Sequence, residues 1–137
     1  MNDTPNIYKV FTILVVEDDR VSSMIACKMI KIFSPLATIL KAYDGLEALE
    51  KMKQYRPDLI FMDINMPLMD GNEATKKIRE YEEKENLPKC KIVGLSSYSL
   101  QQHIDAGMNE LMDDYMTKPI DADKFKKIII KSVNKVG

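Results

Sequence analysis

Residues 58 to 71, DLIFMDINMPLMDG, contain the strongest indication of the fold of this chain. The four consecutive apolar residues from Leu59 to Met62 are typical of a strand buried on both faces of a parallel sheet. The apolar run ends in an acid, Asp63, and the chain is then broken by Pro67 and Gly71. We therefore predict a buried strand that carries a carboxylate at its carboxyl end.

Before and after this stretch, short apolar runs alternate with amphipathic segments. The other predicted strands are FTILVVE (11–17), ATILKAY (37–43), KIVGLS (91–96) and DYMT (114–117), and the predicted helices cover 20–33, 45–55, 72–86, about 98–107 and 121–134. Single helices between five strands indicate an α/β fold of the (βα)5 type. We expect a doubly wound, parallel, five-stranded sheet with helices on both faces and right-handed crossovers.

Composition excludes several classes of protein. The 137 residues include 20 Lys and Arg against 21 Asp and Glu, so nothing indicates a nucleic-acid-binding surface. No apolar run approaches the roughly 20 residues that span a bilayer, and the start of the chain lacks the pattern of a signal peptide. Cys27 and Cys90 fit neither a disulfide framework nor a metal site, which predicts free, buried or half-buried thiols and a cytoplasmic location.

Polar side chains follow the carboxyl ends of four predicted strands. They are Glu17, Asp18 and Asp19 at the end of the first strand, Asp63 and Asn65 at the third, Ser96 at the fourth and Lys118 at the fifth. In open α/β sheets this edge is where ligands bind. Two carboxylates about 4 Å apart repel by roughly 4 kcal/mol at an effective dielectric constant near 20, so the cluster requires a cation. Oxygen ligands of this kind suit Mg²⁺.

An aspartate beside a metal ion and an ammonium group is a candidate nucleophile for phosphoryl transfer. Carboxylates form aspartyl phosphates, and here Asp63 is the candidate. The metal and Lys118 would neutralise charge on the transferred group, while the Ser96 hydroxyl would bond one of its oxygens. Taken alone, each group has a simpler explanation, since the acids after the first strand could equally cap a helix and a lone lysine is ordinary surface charge.

Four segments in order, ILVVEDD, LIFMDINMPLMDG, VGLSS and DYMTKPI, make the chain similar to the receiver domains of two-component response regulators, of the type found in hybrid histidine kinases. The resemblance implies a flavodoxin-like sheet with strand order 2-1-3-4-5. It assigns residues 11–137 to the receiver domain and 1–10 to an N-terminal extension. It also implies a phosphoacceptor in a histidine-to-aspartate phosphorelay, not an enzyme.

The resemblance implies a role for each residue of the strand-end cluster. Mg²⁺ would be held by Glu17, Asp18, Asp63 and the backbone carbonyl of Asn65. Asp63 would accept the phosphoryl group, Ser96 and Lys118 would bind it, Tyr115 would be the aromatic switch residue, and the peptide before Pro119 would be cis. The donor would be a sensor histidine kinase or a histidine phosphotransfer protein, and an effector would use the face made by the fourth predicted helix, the fifth strand and the last helix.

One departure from the family and one rival function stay open. Leu111 occupies the position at which receivers usually have the glycine that ends the fourth helix, so we predict that this helix ends early, at Gly107 or Asn109. The rival is a Mg²⁺-dependent phosphohydrolase with an aspartyl nucleophile, which normally requires an acid two residues further on, where this chain has Asn65. We predict that His103 and the run REYEEKENLPK (79–89) are solvated.

Overall fold

The computed structural model describes residues 11–66, 69–97 and 110–136. The strands are β1 (Thr12–Val16), β2 (Thr38–Ala42), β3 (Leu59–Asp63), β4 (Lys91–Ser96) and β5 (Asp114–Thr117). All pairs are parallel, and the order across the sheet is β2-β1-β3-β4-β5. The described helices are α1 (Arg20–Phe33), α2 (Gly45–Tyr55), α3 (Gly71–Lys84) and α4 (Ala122–Val136). The predicted fold class and strand order are confirmed.

The sheet separates two apolar clusters, which explains why its central strands are apolar without alternation. In β3, Leu59 and Phe61 belong to the cluster beneath α1 and α4, whereas Ile60 and Met62 belong to the cluster beneath α2 and α3. The rings of Phe61 and Phe125 lie 4.5 Å apart between their centroids. Both faces of β3 are thus covered, and its carboxyl end is held within a rigid sheet.

Aspartates fix the starts of three helices. Asp19, Asp44 and Asp70 are the N-caps of α1, α2 and α3, and each carboxylate accepts a hydrogen bond from the backbone N–H three residues further on. Such caps are worth roughly 0.5–2 kcal/mol each. They set where the chain leaves the carboxyl edge of the sheet, and therefore how the loops that line this edge run.

The element boundaries differ slightly from the predictions. Both β1 and β2 are one residue shorter at each end, α3 spans 71–84 instead of 72–86, and α4 spans 122–136 instead of 121–134. Cys27 and Cys90 are free and buried, as predicted. None of the helices in the described part of the chain is long and apolar enough to cross a membrane.

The predicted solvation of residues 79–89 is wrong for two members of that run. The Arg79 side chain is 9 % exposed and the Glu82 side chain 3 % exposed, and they form an ion pair. Glu82 shares one face of α3 with the buried residues Thr75 and Ile78, at the spacing of a core-facing stripe. The predicted fourth helix, its early end and His103 lie outside the described residues, while Glu110 and Leu111 lie in a turn.

Candidate functional site at the carboxyl edge of the sheet

Two neighbouring strands bring the acids together. Val16 pairs with Met62, so Glu17 and Asp63, the next residues of each chain segment, are neighbours at the carboxyl edge. Glu17 is 4 % exposed and Asp63 1 % exposed, whereas Asp18 faces solvent. One carboxylate oxygen from each of these three acids lies within 4.8 Å of the others. The predicted acidic cluster therefore exists.

Lys118 completes the cluster from the far side of β4. Its Nζ lies 2.8 Å from Glu17 Oε2 and 3.1 Å from Asp63 Oδ1, so one ammonium group bridges both buried carboxylates. Its backbone N–H donates to the carbonyl of Ser96 at 2.7 Å, which fixes the chain just after β5. The peptide bond between Lys118 and Pro119 is cis.

The turn after β3 is fixed closely around Asp63. The Asn65 N–H donates to Asp63 Oδ1 at 3.0 Å, and the Gly71 N–H donates to the carbonyl of Ile64 at 3.2 Å. A Cβ atom at position 71 would lie 2.5 Å from the backbone oxygen of Asp63, which cannot give way. A glycine is therefore required where α3 begins, and the break that follows the apolar run of β3 is part of the site.

The charges of the site do not balance. Three carboxylates and one ammonium leave two negative charges. Burial raises the pKa of Glu17, against the hydrogen bond from Lys118, and the charge of Asp63 raises it further. Burial lowers the pKa of Lys118, but its bonds and attraction to Glu17 and Asp63 outweigh burial, and the pKa lies above the usual range. A divalent cation would neutralise the surplus, and carboxylate oxygens are ligands that Mg²⁺ prefers.

The other predicted site residues lie around this cluster. Ser96 is fully buried and directly follows Leu95, the register partner of Asp63. Asn65 is exposed, and its side-chain oxygen accepts the N–H of Ser97 at 3.2 Å. Tyr115 is half-buried in β5, where it packs against the cluster beneath α2 and α3, and it is not one of the residues that form the acidic cluster.

An exposed apolar stripe on α1, which begins beside the site, was not predicted from the sequence. On α1, Val21, Ile25 and Ile32 are 59, 51 and 72 % exposed, although their helical spacing reads as that of a buried face. Next to this stripe, a groove of about 240 Å³ runs between α1 and the chain after β5, where Pro119 and Ile120 form its wall. The sequence did contain an indication, because the apolar residues of α1 are too many to lie on one buried face.

The family model of the response regulator receiver domain matches residues 13–130 of this chain. Chemotaxis protein CheY of Bacillus subtilis is 34 % identical over 121 residues, which cover 88 % of this chain and 97 % of that protein. Transcription factor SKN7 of Saccharomyces cerevisiae is 31 % identical over 130 residues, 95 % of this chain but 20 % of that protein. Hybrid signal transduction histidine kinase L of Dictyostelium discoideum is 34 % identical over 124 residues, 87 % of this chain but 7 % of that protein.

The fold is also found in many solved structures, two of which serve as examples. The receiver domain of Ssk1 from Saccharomyces cerevisiae, crystallised with the histidine phosphotransfer protein Ypd1, has a TM-score of 0.75 and 27 % identity, with 89 % of this chain and 88 % of that chain covered. The receiver domain of sensor histidine kinase PA1611 from Pseudomonas aeruginosa, with a magnesium ion in its active-site cleft, has a TM-score of 0.75 and 26 % identity, with 92 % and 99 % covered. The chain belongs to the response regulator receiver domain family.

Proposed function

We propose that this receiver domain accepts a phosphoryl group on Asp63 from a phosphohistidine of its partner, and that the modification switches its conformation. The observation that carries the proposal is the contact of Lys118 Nζ with Asp63 Oδ1, at 3.1 Å, inside an acidic cluster at the carboxyl edge. A carboxylate that is almost fully buried, held by an ammonium group and adjacent to surplus negative charge, is suited to a reaction and not to stability alone.

The transfer forms one bond and breaks another. A carboxylate oxygen of Asp63 attacks phosphorus, the P–N bond breaks, and the imidazole nitrogen keeps the bonding electron pair and takes a proton from solvent. The product is an aspartyl phosphate. The contacts of Asp63 with Asn65 and Lys118 both use Oδ1, and among the described residues Oδ2 accepts no hydrogen bond. That oxygen is the one we assign as the nucleophile.

We assign the metal ligands to Glu17, Asp18, Asp63 and the backbone carbonyl of Asn65. Support comes from the convergence of the three carboxylates and from the magnesium ion named for the PA1611 receiver domain. When bound, Mg²⁺ would neutralise charge on the phosphoryl oxygens. Lys118 would bond a phosphoryl oxygen in place of its present contact with Asp63.

The phosphoryl group would act through Ser96 and Tyr115. A shift from a 1:99 to a 99:1 equilibrium needs about 5.5 kcal/mol of differential stabilisation. Charge-assisted hydrogen bonds from a phosphoryl group to the Ser96 hydroxyl and the Lys118 ammonium are of the kind that supply such energies. The domain would thus be a switch and not a turnover enzyme. The comparisons give no support to the rival phosphohydrolase, and Asn65 is not an acid that could assist one.

The partner would be a sensor histidine kinase or a histidine phosphotransfer protein, and the apolar stripe on α1 is where we place its docking. Val21 lies two residues from the acid cap Asp19, so a partner seated on the stripe would bring a histidine close to Asp63. The complex of the Ssk1 receiver domain with Ypd1 supports a partner of this class. An effector surface on the face made by the fourth predicted helix, β5 and α4, and a cytoplasmic location, stay predictions.

The test is phosphorylation by a small donor, acetyl phosphate, in the presence of MgCl₂, read by intact-protein mass. We expect the wild-type chain to gain one phosphoryl group and Asp63→Asn to gain none. Asp123→Asn, on the exposed first turn of α4, is the matched control and should be labelled like the wild type. Equal labelling of Asp63→Asn and wild type would contradict the assignment.

A further inference from the structure

A single side chain at the amino edge of the sheet joins three distant segments. The Arg79 guanidinium donates from Nε to the carbonyl of Leu111 at 3.0 Å and from Nη2 to Asp113 Oδ2 at 3.0 Å. Its Nη1 donates to Glu82 Oε1 and to the carbonyl of Cys90, both at 2.8 Å. The guanidinium therefore connects α3, the start of β4 and the segment that leads into β5.

The groups that Arg79 binds are themselves fixed by the backbone. Glu82 Oε2 accepts the N–H of Cys90 at 2.7 Å. Asp113 Oδ2 accepts the N–H of Ile92 at 2.7 Å, and the N–H of Asp113 donates to the carbonyl of Ile92 at 2.8 Å. Because the planar guanidinium presents its donors in a rigid fork, this arrangement specifies the position of residues 111–113 and not merely their proximity.

The segment held by Arg79 touches the surroundings of Tyr115. Met112, which lies between Leu111 and Asp113 in the sequence, is buried. A Cβ atom at Gly94 would lie 2.7 Å from Met112 Sδ and 2.9 Å from Tyr115 Cδ1, so the two side chains fill adjoining space over one glycine. The position of Met112 therefore sets one wall of the space in which the Tyr115 ring lies.

We propose that Arg79 is a positioning residue for the Tyr115 switch. By holding Leu111 and Asp113, it keeps Met112 over Gly94 and so restricts the positions that the Tyr115 ring adopts before and after phosphorylation. The inference rests on the proposed function, because it requires Tyr115 to move when Asp63 is phosphorylated. Leu111 itself needs no left-handed backbone at this position, because the non-glycine residues with positive φ in the described part of the chain are Arg56 and Asn86.

A spectroscopic probe on Tyr115 distinguishes a positioning role of Arg79 from a purely structural one. The protein is labelled with 3-fluorotyrosine, the Tyr115 signal is assigned in ¹⁹F NMR spectra with Tyr115→Phe, and its displacement by acetyl phosphate and MgCl₂ is measured. The test variant combines Arg79→Met with Glu82→Gln, so that no unpaired carboxylate is left buried. Asp113→Asn, which loses the ion pair with Arg79 but keeps an oxygen for the Ile92 N–H, is measured in parallel in case the double variant does not fold. Lys76→Met, an exposed cation on the same helix, is the control.

We expect phosphorylation to displace the Tyr115 signal in wild type and Lys76→Met alike. In the double variant, and in Asp113→Asn, the displacement should fall at least twofold while the extent of phosphorylation stays unchanged. A lower melting temperature with an unchanged displacement would overturn the inference and leave Arg79 a structural residue. Phosphorylation of Asp63 without any displacement of Tyr115 in wild type would overturn it while the phosphoacceptor assignment stands. No labelling of wild type would overturn both.

Discussion

Both edges of the sheet contain buried charged groups, but the charges are paired differently at the two edges. At the amino edge, both oxygens of Glu82 are bonded, one to Arg79 and one to the N–H of Cys90. The second acid there, Asp113, has a side chain that is 47 % exposed. At the carboxyl edge, Glu17 and Asp63 are both buried and share one ammonium group.

The ion pairs at the amino edge hold segments of the chain in place, whereas the surplus charge at the carboxyl edge favours the binding of a ligand. A buried ion pair whose hydrogen bonds are complete specifies a local structure, and removal of one partner is strongly destabilising. A buried site with surplus charge of one sign is stabilised by what it binds.

Replacement of Arg79 should produce the largest loss of stability. Arg79→Met leaves the Glu82 carboxylate buried without its cation, and we expect the free energy of unfolding in urea to fall by about 3–5 kcal/mol. Lys76→Met, which removes an exposed cation from the same helix, should change it by less than about 0.5 kcal/mol. Asp63→Asn should not lower it in metal-free buffer, because that substitution removes surplus negative charge. Equal losses for Arg79→Met and Asp63→Asn would show that the two edges do not differ in this respect.

Mg²⁺ should stabilise the protein through the acids of the carboxyl edge and not through those of the amino edge. At a Mg²⁺ concentration of 100 times Kd, the free energy of unfolding of wild type should rise by about 2.7 kcal/mol. Asp18→Asn, which changes an exposed acid and so leaves the core intact, should weaken this response, whereas Glu82→Gln should keep it. Thermal denaturation with and without MgCl₂, with ionic strength held constant by NaCl, measures the effect. A full response in Asp18→Asn would contradict the ligand assignment.

The smallest effect concerns the two thiols. Burial raises the pKa of both Cys27 and Cys90, and the charge of Glu82 raises that of Cys90 further. Since the thiolate is the reactive form, native Cys90 should react with iodoacetamide more slowly than Cys27, although the two are equally buried. Peptide mass spectrometry after timed alkylation at pH 8 measures the order, and faster reaction of Cys90 would contradict it.

The raised pKa of Cys90 also makes the stability of the protein fall as the pH rises in the alkaline range. The folded state holds the Cys90 proton to higher pH than the unfolded state does, so in the range above about pH 8.5 the folded state binds more protons. The contribution of Cys90 to stability is therefore complete below that pH and is lost as pH rises above it. Urea unfolding at pH 8 and pH 9.5 should show a smaller loss of stability in Cys90→Ala than in wild type.

The carboxyl edge could be predicted from sequence, and the amino edge could not. An apolar run that ends in an acid, such as Leu59 to Asp63, places that acid at the edge of a parallel sheet whatever the remainder of the chain does. Because parallel strands share an edge, the ends of β1 and β5 then had to converge on Asp63. Each residue of the acidic cluster was thus reachable from local pattern and fold class.

Arg79 offered no comparable signal, because its bonds to Leu111 and Asp113 span 32 and 34 residues and depend on how α3 lies against β4 and β5. A charged helix end normally indicates a solvated face. The local hint was that Glu82 continues the stripe of Thr75 and Ile78, which places a carboxylate on the core-facing side of the helix. An acid on such a stripe predicts a buried cation nearby, but not which one.

Chemical mapping of the modified residue shows directly whether Asp63 is the phosphoacceptor. The wild-type chain is phosphorylated with acetyl phosphate and MgCl₂ and then treated with borohydride, which reduces an aspartyl phosphate to homoserine, and the digested peptides are sequenced by mass spectrometry. We predict homoserine at position 63 in proportion to the phosphoryl group incorporated. Homoserine at Asp18 in place of Asp63, or phosphate retained on a hydroxyl or imidazole side chain, would contradict the assignment of Asp63.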